Sequence, residues 1–104
     1  MRKQHVIPQT TKDPEEAWPY GWNWTDALED GDTIATSAWS ITGKEDPVDL
    51  DVDPGSDVID NVNFKTTVRL TGGTSGVVYI LKNIITTTLG DTGVRRMEIR
   101  LQPK

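Results

Sequence analysis

Apolar and polar residues alternate in short runs along this chain, and each run is closed by Gly, Pro, Asp or Asn. That periodicity of two predicts half-buried β-strands joined by turns, and no helix-length amphipathic run competes with it. In Trp18-Pro19-Tyr20-Gly21-Trp22-Asn23-Trp24 the even positions put Trp18, Tyr20, Trp22 and Trp24 on one side of an extended strand. Thr25 to Asp30 follows, with Thr25 or Asp26 as the expected cap of a single helical turn anchored by Leu28. A second strand is predicted over Thr33 to Thr42. Ile34 and Trp39 have opposite parity there, so a bulge near Ala35 to Ala38 is needed to bring both inward.

Val48-Asp49-Leu50-Asp51-Val52-Asp53 alternates strictly and reads as a half-buried or edge strand ended by Pro54-Gly55. Val58 to Phe64 is a weaker strand, and Phe64, Thr66, Val68 and Leu70 share one face of the next. Two β-rich runs then flank Gly72, Gly73 and Gly76, a connection that predicts a hairpin leading into Val77 to Thr88. Leu89-Gly90-Asp91-Thr92-Gly93 turns the chain into Val94 to Leu101. Met97, Ile99 and Leu101 should face the core there, and Arg96, Glu98 and Arg100 the solvent. Six or seven short strands so closely spaced predict an all-β fold, an immunoglobulin-like β-sandwich of about seven strands. Residues 1–16 read as an extended N-terminal arm outside the sandwich, and residues 17–104 as the sandwich domain.

The strand Val77 to Thr88 is apolar on both parities: Val77, Tyr79, Leu81 and Ile85 on one side, Val78, Ile80 and Ile84 on the other. A strand covered by one sheet does not need the second set. Either a loop or the N-terminal aromatics cover it, or a second protein does. Trp18, Tyr20, Trp22, Val78, Ile80 and Ile84 are therefore the candidate partner-interface residues. Trp39 is expected as a core plug, Gly72, Gly73 and Gly76 as turn formers, and Tyr79 as an anchor whose phenol bonds a nearby backbone group.

Composition narrows the function. The 104 residues suffice for one modest core, and nine glycines and six prolines suit an all-β chain. A net charge of −5 argues against a nucleic-acid partner, which needs clustered Lys and Arg. With no cysteine there is no disulfide framework and no thiol nucleophile. No apolar run is long enough for a signal peptide or a membrane span, so cytosol-like conditions and no membrane partner are expected.

Candidate chemistry is sparse. Asp49, Asp51 and Asp53 have the spacing of the first ligands of a calcium loop, but Pro54 stands where such loops need Gly and Asp60 where Glu is wanted. A solvated acidic strand explains them better, and no metal site is assigned. His5 is the single histidine, which excludes a histidine-based triad. Asp26, Asp30 and Asp32 could offer a carboxylate pair, yet no nucleophile signature accompanies them, so no catalytic residue, cofactor or enzyme activity is assigned. Asn23-Trp24-Thr25 fits a glycosylation sequon and reads instead as strand and cap.

Several motifs carry a family likeness. They are Lys12-Asp13-Pro14, Tyr20-x-Trp22-Asn23-Trp24-Thr25, Leu28-x-x-Gly31-Asp32-Thr33-Ile34, Ser37-x-Trp39, Val68-x-Leu70-x-Gly72-Gly73-x-x-Gly76-x-x-Tyr79-x-Leu81-x-Asn83-x-Ile85-Thr86-Thr87 and Arg96-x-x-Ile99. From Lys12 to Leu101 the chain resembles a family of small bacteriophage and prophage proteins, the fibre–tail adaptors. The resemblance implies a structural virion protein of the tail, made in the host cytoplasm. It would join tail or connector to tail fibres by protein–protein contacts, in several symmetry-related copies. Two other readings differ in class: a carbohydrate-binding module stacking sugars on Trp18, Trp22 and Trp24, and a capsid decoration protein.

Overall fold

The computed structural model describes residues 9–43 and 49–103. The first half of the predicted arm, His5 included, and Val48 lie outside the described residues. Eight strands and no helix are present among the described residues: β1 (Gln9–Lys12), β2 (Trp18–Asn23), β3 (Ile34–Thr42), β4 (Leu50–Val52), β5 (Val58–Asp60), β6 (Lys65–Gly72), β7 (Val78–Thr87) and β8 (Thr92–Leu101). They form two four-stranded sheets, one in the order β1-β8-β7-β3 and one in the order β2-β6-β4, with β5 also on β6. The fold is an all-β, sandwich-like pair of layers.

The side chains between the layers follow the alternation. Every second residue of β7 is buried, from Tyr79 to Thr87, and Thr66, Val68 and Leu70 do the same in β6. One core cluster gathers Tyr20, Leu50, Val68, Leu70, Tyr79, Leu81, Ile99 and Leu101. A second joins Trp24, Ile34 and Ile85, with Trp22 and Leu28 packed against it. In β8, Ile99 and Leu101 are fully buried while Arg96 and Arg100 are exposed, as their alternation predicts. The β3 register shifts between Ile34 and Thr36, where a bulge was expected, so Ile34 is buried and Trp39 still packs on the core.

Four expectations change. First, β6 and β7 do not form a hairpin. Both edges of β6 are taken by β2 and by β4 with β5, and both edges of β7 by β3 and β8. The glycine-rich segment is instead an arch between layers. Gly72 and Gly73 have φ of 79° and 100°, and Gly73 N–H reaches Asp49 C=O at 3.2 Å. The tight hairpin joins β7 to β8, where Gly90 has φ 98° and Thr87 N–H donates to Asp91 C=O at 2.8 Å.

Second, the strand predicted over Val58 to Phe64 is only Val58–Asp60, and β5 runs along the same edge of β6 and in the same direction as β4, so Pro54-Gly55, which ends β4 as expected, is a kink in one edge. Asp53 N–H and Ser56 Oγ bridge the kink to Arg69 at 2.8 and 3.0 Å. Third, Gln9–Lys12 pairs in parallel with β8 from Glu98 to Leu101, so this part of the predicted arm belongs to a sheet. Lys12 is fully buried, and its Nζ donates to Gly72 C=O at 2.8 Å and Asp13 C=O at 2.9 Å. An ammonium can leave water only with such acceptors in place. The Asp13 to Glu16 turn then carries the chain to the other layer. Fourth, Thr25 to Ala27 form hydrogen-bonded turns rather than a helix, and the cap is Asn23, whose Oδ1 accepts from Thr25 N–H at 2.9 Å.

Candidate interface

The predicted interface residues fall into two groups on different layers. Val78, Ile80 and Ile84 stand half-buried on the outer face of β7, the side turned away from the other sheet. Their neighbours on β8 are Arg100, Glu98 and Val94. On β3, Thr42 lies beside Ile80 and Ala38 beside Ile84. On this face Ile80 and Ile84 flank Lys82, whose neighbour on β8 is Arg96, and Lys82, Arg96 and Arg100 outnumber Glu98, a cationic area on a chain of net charge −5. The aromatic strand does not cover it. β2 belongs to the opposite layer and turns its rings between the sheets, because the even side of β2 faces Val68 and Leu70 of the core.

Tyr20 is 8% exposed and a member of the core. Trp22 stacks on Trp39 across the two layers, with ring centroids 5.8 Å apart and planes at 19°. Trp24 is 1% exposed, and Arg95 lies 4.3 Å above its ring. Trp18, at the start of β2, is 52% exposed. A sugar-stacking platform on Trp18, Trp22 and Trp24 would need three accessible rings, whereas Trp24 is buried and Trp22 is half-buried against Trp39.

Tyr79 sits where the arch meets the core. Its phenol donates to Asp49 Oδ1 at 2.6 Å and accepts from Thr74 N–H at 2.9 Å, and Thr74 Oγ1 also donates to Asp49. Asp49 is thereby drawn to the arch, while Asp51 Oδ1 turns back to Val52 N–H. The three aspartates of the strand do not converge. Among the described residues no three His, Asp or Glu side chains form a group able to hold a metal ion. Asp60 serves the β5–β6 turn, where the Asn63 side chain, the Asn63 N–H and the Val62 N–H hold its carboxyl below the ordinary range.

The two buried tyrosines separate hydrogen bonding from packing. Burial, with Glu16 adding to it, pushes the Tyr20 phenol up to about 12, and its Oη has no hydrogen-bond partner among the described residues. Tyr79→Phe is expected to cost about 2 kcal/mol in urea unfolding, since it strips a bond to a carboxylate and leaves the Thr74 amide short of an acceptor. Tyr20→Phe should stay within about 0.5 kcal/mol of the parent, because no bond is lost. Equal costs for the two would refute the assignment.

Sequence reasoning missed a buried polar chain that ties the layers together. Trp24 Nε1 donates to Thr66 Oγ1 at 2.9 Å, Thr66 Oγ1 donates to Asn83 Oδ1 at 2.6 Å, and Asn83 Nδ2 donates to Ser37 Oγ and Ala38 C=O at 2.9 and 3.0 Å. Asn83 is fully buried. Its signal was present: it is the polar break in the core-facing series Tyr79, Leu81, Ile85, and a polar residue in that position needs internal partners.

No curated protein matches the chain. A family model described as podophage GP4 fiber-tail adaptor protein gp77 matches residues 12–100, from the buried Lys12 to Arg100 of β8. That span takes in both layers, the arch with Tyr79 and the outer face of β7, and the chain belongs to this family of fibre–tail adaptor proteins.

Proposed function

We propose that the protein is a non-enzymatic virion component that joins the tail or connector of a tailed phage to its fibres through protein–protein contacts. The family match over residues 12–100 carries this reading. Two features of the molecule support it. Val78, Ile80 and Ile84 give an outer sheet face more apolar than a solvated strand requires, and Trp18 adds an exposed ring on the other layer. Several symmetry-related copies, made in the host cytoplasm and built into the tail, would each present these surfaces to neighbours.

Deleting the gene and imaging the particles tests the reading. Tails that lack fibres on otherwise normal heads are expected. Retained fibres with fragile heads would place the protein on the capsid instead.

A further inference from the structure

Sheet edges invite additional strands, and three of the four edges here carry a feature that discourages it. β1 is four residues long. β2 contains Pro19 and Gly21. The β4–β5 edge is broken at Pro54-Gly55 and carries Asp51, Asp53, Asp57 and Asp60. β3 has none of these: its nine residues include no charge, proline or glycine. At one end the Asn61 amide occupies it, with Oδ1 accepting from Ile34 N–H at 2.8 Å and Nδ2 donating to Ile34 C=O at 3.0 Å. Beyond that, no strand among the described residues pairs with the outer side of β3.

The core side of β3 is also short of cover. Ser37, Trp39 and Ile41 are half-buried, whereas their cross-strand partners on β7, Ile85, Asn83 and Leu81, are 1%, 0% and 0% exposed. One more strand in the layer would close the same rim over Trp39 and Ile41.

We propose that β3 is an acceptor edge that takes an extended segment of a tail or fibre protein as an added strand. This rests on the adaptor reading above and names how one partner is held. Main-chain hydrogen bonds along β3 would supply the attachment, and apolar residues at every second position would cover Trp39 and Ile41. β3 touches β4 and β5 of the other layer, so the edge that carries these aspartates adjoins it. In a pairing of two copies through β3, both acidic edges would be brought together, which like charges oppose. A segment from another protein with Lys or Arg at its ends complements the same carboxylates.

Hydrogen exchange on the isolated protein and on tails that contain it tests this. The outward amides of Ser37, Trp39 and Ile41 are expected to exchange roughly tenfold more slowly, or slower still, in the tail, with a smaller change in Ala38 and Ser40, which already face β7, and in β1. Unchanged β3 exchange in tails that carry the protein would overturn the inference and leave the adaptor reading standing. Absence of the protein from tails would instead defeat the adaptor reading. Ser40→p-benzoylphenylalanine, at an exposed β3 position, identifies the occupant by photocrosslinking in the particle. An adduct with a tail or fibre protein is expected, and an adduct with a second copy of this chain overturns the assignment.

Discussion

Trp24→Ala is expected to lower stability by about 4 kcal/mol in urea unfolding, the largest loss from any single truncation in the protein. Marginal stability makes that a large share of the whole, since a small domain holds roughly 5–15 kcal/mol. Three contributions vanish together. The ring is 1% exposed and anchors the second core cluster with Ile34 and Ile85. Its Nε1 donates to Thr66 Oγ1 at 2.9 Å, the first link of the polar chain to Asn83. Arg95 loses the ring it covers at 4.3 Å, although its Nη1 keeps the Asn23 C=O at 2.8 Å. The cavity cannot refill locally, because the neighbouring strand position is Gly93, where an added Cβ would stand 2.8 Å from the Trp24 ring. Trp24→Phe should fall between the two, keeping most of the packing and losing the bond to Thr66. A loss below about 2 kcal/mol for the alanine variant would mean that this cluster is not a core.

Gly73→Ala comes next, with an expected loss of about 3 kcal/mol. A side chain at φ 100° is strained by about 1–2 kcal/mol, and overpacking adds about as much again. The new Cβ would lie 2.7 Å from both Cγ and Cδ1 of the fully buried Leu101. Gly76→Ala is the control. It has a positive φ of 88° but open space around the added carbon, so only the backbone strain applies and about 1 kcal/mol is expected. If the two variants lose the same amount, the close approach of the arch to β8 is wrong.

The arch explains why Gly73 is so confined. A hairpin would leave the glycines at a solvent-exposed tip, where alanine costs little beyond its φ. Here the segment crosses from one layer to the other, over the end of β8, with Gly76 N–H on Leu101 C=O at 2.7 Å and Tyr79 holding Thr74 from below. Asp49 completes the arrangement by accepting from Tyr79, Thr74 and Gly73 at once. Its carboxylate takes Tyr79 and Thr74 and its main-chain carbonyl takes Gly73, so one residue fixes the start of β4, the arch and the start of β7 together, a long-range tie between segments far apart in sequence.

Much of this was legible in the residues. Alternation identified nearly all the strands, because a side chain in an extended chain has two directions and water occupies one of them. The parity clash of Ile34 with Trp39 required a bulge, and the series Met97, Ile99, Leu101 marked its core face. The motifs from Lys12 onward pointed to the fibre–tail adaptor family that the chain belongs to.

Local periodicity determined which residues lie in strands and which side of each strand is dry, since both depend on neighbours two positions apart. It predicted a hairpin after Leu70 where the chain makes an arch, because either places Gly72 and Gly73 at a positive φ. It could not enrol Gln9–Lys12 as an edge strand, bury Lys12 against Gly72 C=O, or leave β3 as the uncovered edge. Those outcomes depend on which strand edges remain open once β6 and β7 have taken all their partners, and that competition exists only in the assembled layers.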